Sequence, residues 1–75
     1  HLLIIPGTHI ASAADITPEN SAIVAHIFEV AAKIAKEQGL EGWRIVSNVG
    51  KDGGQTVMHL HFHLLGGRSM AWPPG

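Results

Sequence analysis

Residues 59–65 read HLHFHLL: His59, His61 and His63 alternate with Leu60, Phe62 and Leu64. A period of two is the signature of a β-strand, where residues i, i+2 and i+4 share a face. The three imidazoles therefore line one surface, and Leu60, Phe62 and Leu64 turn to the other, toward a core. A helix would spread the same three rings over a wide arc. The stretch Gln55–Leu65 as a whole reads as a long strand. Ahead of it, GKDGG at 50–54 reads as a glycine-rich turn and Trp43–Val49 as a second strand, so the two form an antiparallel hairpin.

Further upstream, Leu2–Ile5 is an apolar run closed by Pro6 and Gly7, the pattern of a buried strand followed by a turn. Residues 9–16 are a connector. Thr17 then reads as a helix cap, Pro18 as the first helical residue, and Glu19 as a complement to the helix dipole. Ile23, Val24, Ile27, Val30, Ala31 and Ile34 recur at spacings of three and four and share one face. Gly39 ends the helix. The tail, GGRSMAWPPG, is irregular. The expectation is an α+β domain over residues 1–75, with one main helix on an antiparallel sheet.

Composition narrows the function. The 75 residues contain 45% hydrophobic residues and carry a formal net charge of −1, with five dispersed basic side chains. That balance argues against nucleic acid as a partner. Cysteine is absent, which excludes a thiol nucleophile, a disulfide and any cysteine-based zinc site. No apolar run reaches the roughly 18 residues of a membrane span. The reading is a soluble, cytoplasmic protein with no membrane partner. At this size folding buries only about 60% of the unfolded chain's surface, so a partner subunit is expected to add stability. The opening HLLIIP looks like the interior of a sheet, and the sequence reads as part of a longer protein.

Three roles suit the alternating imidazoles. They can be polar side chains on the solvated face of a half-buried sheet. They can be metal ligands, since His-x-His on a strand chelates zinc at about 2.0–2.1 Å. However, His59 and His63 have backbones about 13–14 Å apart on an extended strand, so a third ligand such as His9 is needed from elsewhere. They can also be catalytic. A central imidazole can attack phosphorus and form a covalent intermediate, while one neighbour fixes its tautomer and another donates a proton. The adjacent GKDGGQT offers Gly53 and Gly54, whose backbone N–H groups admit close approach, with Gln55 and Thr56 beside them. The other residues have plainer readings: Trp43 as packing, His26 as a surface residue of the helix, and Arg68 as an exposed loop arginine.

HLHFHLL resembles the signature of the histidine triad (HIT) superfamily, His-x-His-x-His followed by apolar residues. DGGQTVMHLHFHLLGGRSMAWPPG is similar to the C-terminal block of its Hint branch, the histidine triad nucleotide-binding proteins. IIPGTHI and WRIVSNVG resemble the strands that flank the helix in that branch. The likeness covers essentially all 75 residues.

The resemblance implies a HIT-like antiparallel sheet continued across a homodimer. It also implies purine nucleoside monophosphate binding (AMP or GMP) and hydrolysis of purine nucleoside 5′-phosphoramidates. By position, His61 matches the nucleophile, with the His59 carbonyl accepting from its ring and His63 binding phosphate or assisting the leaving amine. His9 matches an upstream histidine of the cluster. Asn48 matches a ribose–phosphate contact, and Gly54, Gln55 and Thr56 match the phosphate-side turn, with Thr56 where serine is usual. Trp72 matches a residue at the dimer-partner edge of the site. No metal or other cofactor is implied.

The chain departs from the pattern in three places. Gly7 and Thr8 stand where basic residues are common, Val49 stands where the pattern has an acid, and the family's N-terminal hairpin and acidic ribose-binding strand are missing. Two other readings within the family are a nucleotide-binding regulatory module with little turnover, and a dinucleoside polyphosphate hydrolase of another branch. The tail argues against the second.

Overall fold

The computed structural model describes residues His1–Gly75. The strands β1 (Leu2–Ile4), β2 (Trp43–Val46) and β3 (Phe62–Gly66) form one antiparallel sheet in the order β1-β3-β2. A single-turn 3-10 helix, Ala13–Asp15, and the helix α1, Ser21–Glu37, lie between β1 and β2. The architecture is the α+β arrangement expected from the sequence.

The strand that carries the histidine run is central. Leu64 pairs with Leu2 on one side and Ile45 on the other, while His63 pairs with Leu3 and Val46. Leu60, Phe62 and Leu64 are buried, as their alternation predicts, and they meet Ile4, Ile10, Ile27 and Ala31 in one core. The helix supplies the face anticipated from its spacing: Ile27, Ala31 and Ala35 are buried, and Ile23, Val24, Val30 and Ile34 pack around them. Leu60, at 1% exposure, is the largest fully enclosed side chain.

Helix α1 ends as Gly39 predicts. Gly39 takes φ +67, its N–H donates to the Lys36 carbonyl, and the Leu40 N–H donates to the Ala35 carbonyl. That pair of bonds is a Schellman cap, for which a left-handed residue is needed. It sends Leu40 onto β3, where a Cβ at Gly66 would lie 2.7 Å from the Leu40 side chain.

Three expectations need correction. First, the helix starts at Ser21, not at Pro18. Asn20 spends its side chain on a preceding turn, accepting from the Thr17 N–H at 2.7 Å and donating to the Asp15 carbonyl. The Thr17 carbonyl in turn accepts from the N–H groups of Asn20 and Ser21, which closes the turn before the helix begins. Second, β1 is not a buried strand. Ile4 faces the core, but Leu2, Leu3 and Ile5 are 46%, 54% and 56% exposed, because β1 is an edge and the helix covers one side of it only. Third, β3 begins at Phe62, so 55–61 is not a continuation of the strand. There the Leu60 N–H leaves the ladder and donates to the Ile10 carbonyl at 2.6 Å. The antiparallel β2–β3 pairing holds, but its strands are shorter and their connection longer.

Candidate functional site

The histidines project from the end of β3 and from the segment leading into it. His59 and His61 precede the ladder, and His63 lies within it. Even outside the strand the alternation of side chains persists, because Leu60 remains anchored in the core beneath them.

Each ring is held in a defined way. The Nδ1–H of His61 donates to the His59 carbonyl at 2.7 Å. A carbonyl can only accept, so the proton of the neutral ring sits on Nδ1, and Nε2 keeps its lone pair. His59 Nε2 lies 3.1 Å from the Pro6 carbonyl, and its Nδ1 lies 3.2 Å from Nδ1 of His9. In the neutral His59 ring, Nε2–H therefore donates to Pro6 and Nδ1 accepts from His9. The sequence-predicted pairing of His9 with the cluster is thus present, through His59. His63 packs edge-on against His61, with ring centroids 5.2 Å apart.

Sequence reasoning missed His1. Its Nε2 lies 2.8 Å from Nδ1 of His63. The register explains the contact: Leu3 is opposite His63, so His1, two residues back along β1, is on the same face and diagonal to it. Antiparallel pairing of β1 with the histidine strand was the signal that could have found it.

The glycine-rich turn is built as expected around residues 50–55. The Gly54 N–H donates to the Lys51 carbonyl and the Gln55 N–H to the Gly50 carbonyl. Gly53 is required sterically, since a Cβ there would lie 2.2 Å from the Val49 carbonyl oxygen. The Asn48 side chain donates to the Gly53 carbonyl at 2.6 Å. The Gln55 amide accepts from the Gly50 N–H and donates to the Ala11 and Val57 carbonyls, which ties the turn to the connector after His9. Both side chains thus shape the turn, while Thr56 is exposed at its end.

Trp72 lies on the tail, 82% exposed, and takes no part in the contacts of the histidine cluster. Arg44, opposite Leu65 on the histidine face of the sheet, donates to the Ala71 carbonyl and moors the tail. Trp43 is 38% exposed and lines an open cleft with Arg44 and residues 67–70, so it is only partly packed. His26 is on the surface beside Glu29, and Arg68 is an exposed loop residue that bonds the Ser69 carbonyl. No group of side chains has a metal-binding arrangement, and no helix is long and apolar enough to cross a membrane.

A family model for the HIT domain matches residues 1–70. The chain belongs to the HIT family. It is 53% identical, over its whole length, to an uncharacterized HIT-like protein of Synechococcus elongatus, of which it covers 67%. Among solved structures, a HIT family hydrolase from Legionella pneumophila superposes with a TM-score of 0.93 at 51% identity, over 97% of this chain and 67% of that one. A histidine triad protein from Clostridium difficile superposes at 0.87 with 45% identity, over 92% of this chain and 62% of the other. The HIT chain thus spans about two thirds of the length of these relatives.

Proposed function

We propose that this HIT domain hydrolyses purine nucleoside 5′-phosphoramidates by nucleotidyl transfer to His61. The observation that carries the reading is the 2.7 Å bond from His61 Nδ1–H to the His59 carbonyl, which leaves the Nε2 lone pair available. Similarity to a protein described as a HIT family hydrolase supports hydrolysis.

In the first step, Nε2 of His61 attacks the α-phosphorus, the P–N bond breaks, and the amine leaves with a proton. His63 is the donor in its imidazolium form: its Nδ1–H donates to Nε2 of His1, 2.8 Å away, and its Nε2–H goes to the amine, leaving a neutral ring. In the second step, water gives a proton to the now neutral His63 and adds to phosphorus, the P–N bond to His61 breaks, and nucleoside monophosphate departs with both rings restored. Splitting the displacement in this way replaces one difficult attack by water with two easier transfers. His9 acts through His59, holding the ring whose carbonyl orients the nucleophile.

AMP and GMP are the product ligands under this reading. Asn48, Gly54, Gln55 and Thr56 form the ribose–phosphate side, and the exposed Thr56 is the group of that set best placed to reach a phosphate oxygen. The functional unit is a homodimer in which the exposed Trp72 borders the partner's site. The cytoplasm, with its free nucleotides, is the place of action. No metal or cofactor takes part in the proposed steps.

Hydrolysis of adenosine 5′-phosphoramidate with EDTA present tests the reading. Turnover that is lost in His61→Ala supports it. Tight AMP binding without turnover contradicts it and makes the domain a nucleotide-binding module.

A further inference from the structure

Residues 59–61 hold the nucleophile and its tautomer-setting carbonyl, yet they lie outside the strand ladder. Other segments fix them. The Leu60 N–H goes to the Ile10 carbonyl at 2.6 Å, and the His59 ring goes to the Pro6 carbonyl at 3.1 Å. The third tether comes from the opposite side. The β2–β3 register ends at Val46 and His63, and at the position just past β2 the half-buried Ser47 donates its hydroxyl proton to the His61 carbonyl at 2.9 Å. A side chain thus continues the cross-strand bonding one step beyond the last backbone pair, at the residue that bears the nucleophile.

We infer that Ser47 is a positioning residue for His61. The bond from the His61 ring to the His59 carbonyl spans two residues, so its geometry depends on the peptide planes between and beside them. The Ser47 hydroxyl holds the plane that follows His61, the Leu60 N–H holds the plane that carries the accepting His59 carbonyl, and the two together fix where the His61 ring meets that carbonyl. Without Ser47 the plane is free to rotate toward β2, the ring drifts from the His59 carbonyl, and the proton is no longer confined to Nδ1. Small displacements of a reacting atom are costly to a rate, so the effect falls on the chemical step and not on nucleotide affinity.

The kinetic part of this inference rests on the phosphoramidate reading, and the structural part does not. Ser47→Thr and Ser47→Val have the same shape and differ in the hydroxyl. In the full chain labelled with 15N-histidine, the two His61 ring nitrogens of wild type and Ser47→Thr should show the well-separated shifts of one fixed tautomer. In Ser47→Val they should move toward each other as the tautomers mix. The kcat for adenosine 5′-phosphoramidate should fall about threefold to tenfold in Ser47→Val with KM unchanged, and Ser47→Thr should recover it. Identical ring shifts in the two variants overturn the inference, whatever the activity. If no variant turns over substrate but the shifts separate as described, the inference stands and the phosphoramidate reading fails.

Discussion

The ring of His61 is bonded to the main chain of His59, two residues earlier on the same segment, by an Nδ1–H donor 2.7 Å from the carbonyl oxygen. The tautomer-setting group is thus carried by the same three-residue segment as the nucleophile. A carbonyl cannot change its protonation as a carboxylate can, so the free electron pair stays on Nε2 whenever the ring is neutral. The partner of a catalytic imidazole usually fixes its tautomer in this way.

His61→Ala should lower kcat for adenosine 5′-phosphoramidate by at least about a thousandfold, because the covalent route is lost and water must attack directly. His61 is half-buried and its neighbours Leu60 and Phe62 form the core, so the fold should survive. Circular dichroism and a thermal melt check the second point independently of the first.

His1→Ala removes the ring that lies 2.8 Å from His63 and accepts from its Nδ1–H when His63 is protonated. If His63 protonates the departing amine, kcat for alkylamine leaving groups should fall by about tenfold to a hundredfold, less than the loss of a general acid itself because His63 remains in place. A substrate with a good leaving group, such as a nitrophenolate, should be nearly unaffected. A series of substrates graded by leaving-group basicity checks this, and an equal loss across the series would remove His63 from the acid role.

Leu60→Ala should destabilise the domain by about 2–5 kcal/mol, the usual cost of emptying a buried leucine site. Leu60 is 1% exposed and sits directly between His59 and His61. In a small domain that loss is a large part of the total stability, so urea unfolding should shift to much lower denaturant or be complete without it.

Gly53→Ala should open the turn over 50–55. The added Cβ would meet the Val49 carbonyl oxygen at 2.2 Å, and backbone cannot move aside as a flexible side chain can. The Asn48 bond to the Gly53 carbonyl would go with it. On the proposed function, KM should rise severalfold with a smaller change in kcat, and AMP titration should show the same weakening.

Much of this arrangement was legible in the residues themselves. The alternation of Leu60, Phe62 and Leu64 gives the core face because a strand has no other way to distribute side chains. The spacing from Ile23 to Ile34 and the left-handed need met by Gly39 define the helix just as directly. The His61–His59 bond was anticipated from the resemblance and is present in the structure.

The remainder depended on competition between local and distant partners. Thr17 and Pro18 are good helix starters, yet the Asn20 side chain closes a turn first, and nothing in the local pattern ranks the two. Residues 59–61 keep the alternation of the strand, but the Ile10 carbonyl captures the Leu60 N–H and Ser47 captures the His61 carbonyl, contacts 50 and 14 residues away in the chain. His1 joins the cluster only through the β1–β3 register. Strand pairing links residues far apart in sequence, so single-segment patterns do not contain it.

The most direct test of the account is to mix the wild-type chain with adenosine 5′-phosphoramidate, quench in base within milliseconds, and measure intact mass with peptide mapping. The account predicts a single adenylyl adduct on His61 that forms faster than turnover and disappears as AMP is released. Turnover without an adduct, or an adduct on a residue other than His61, would contradict it.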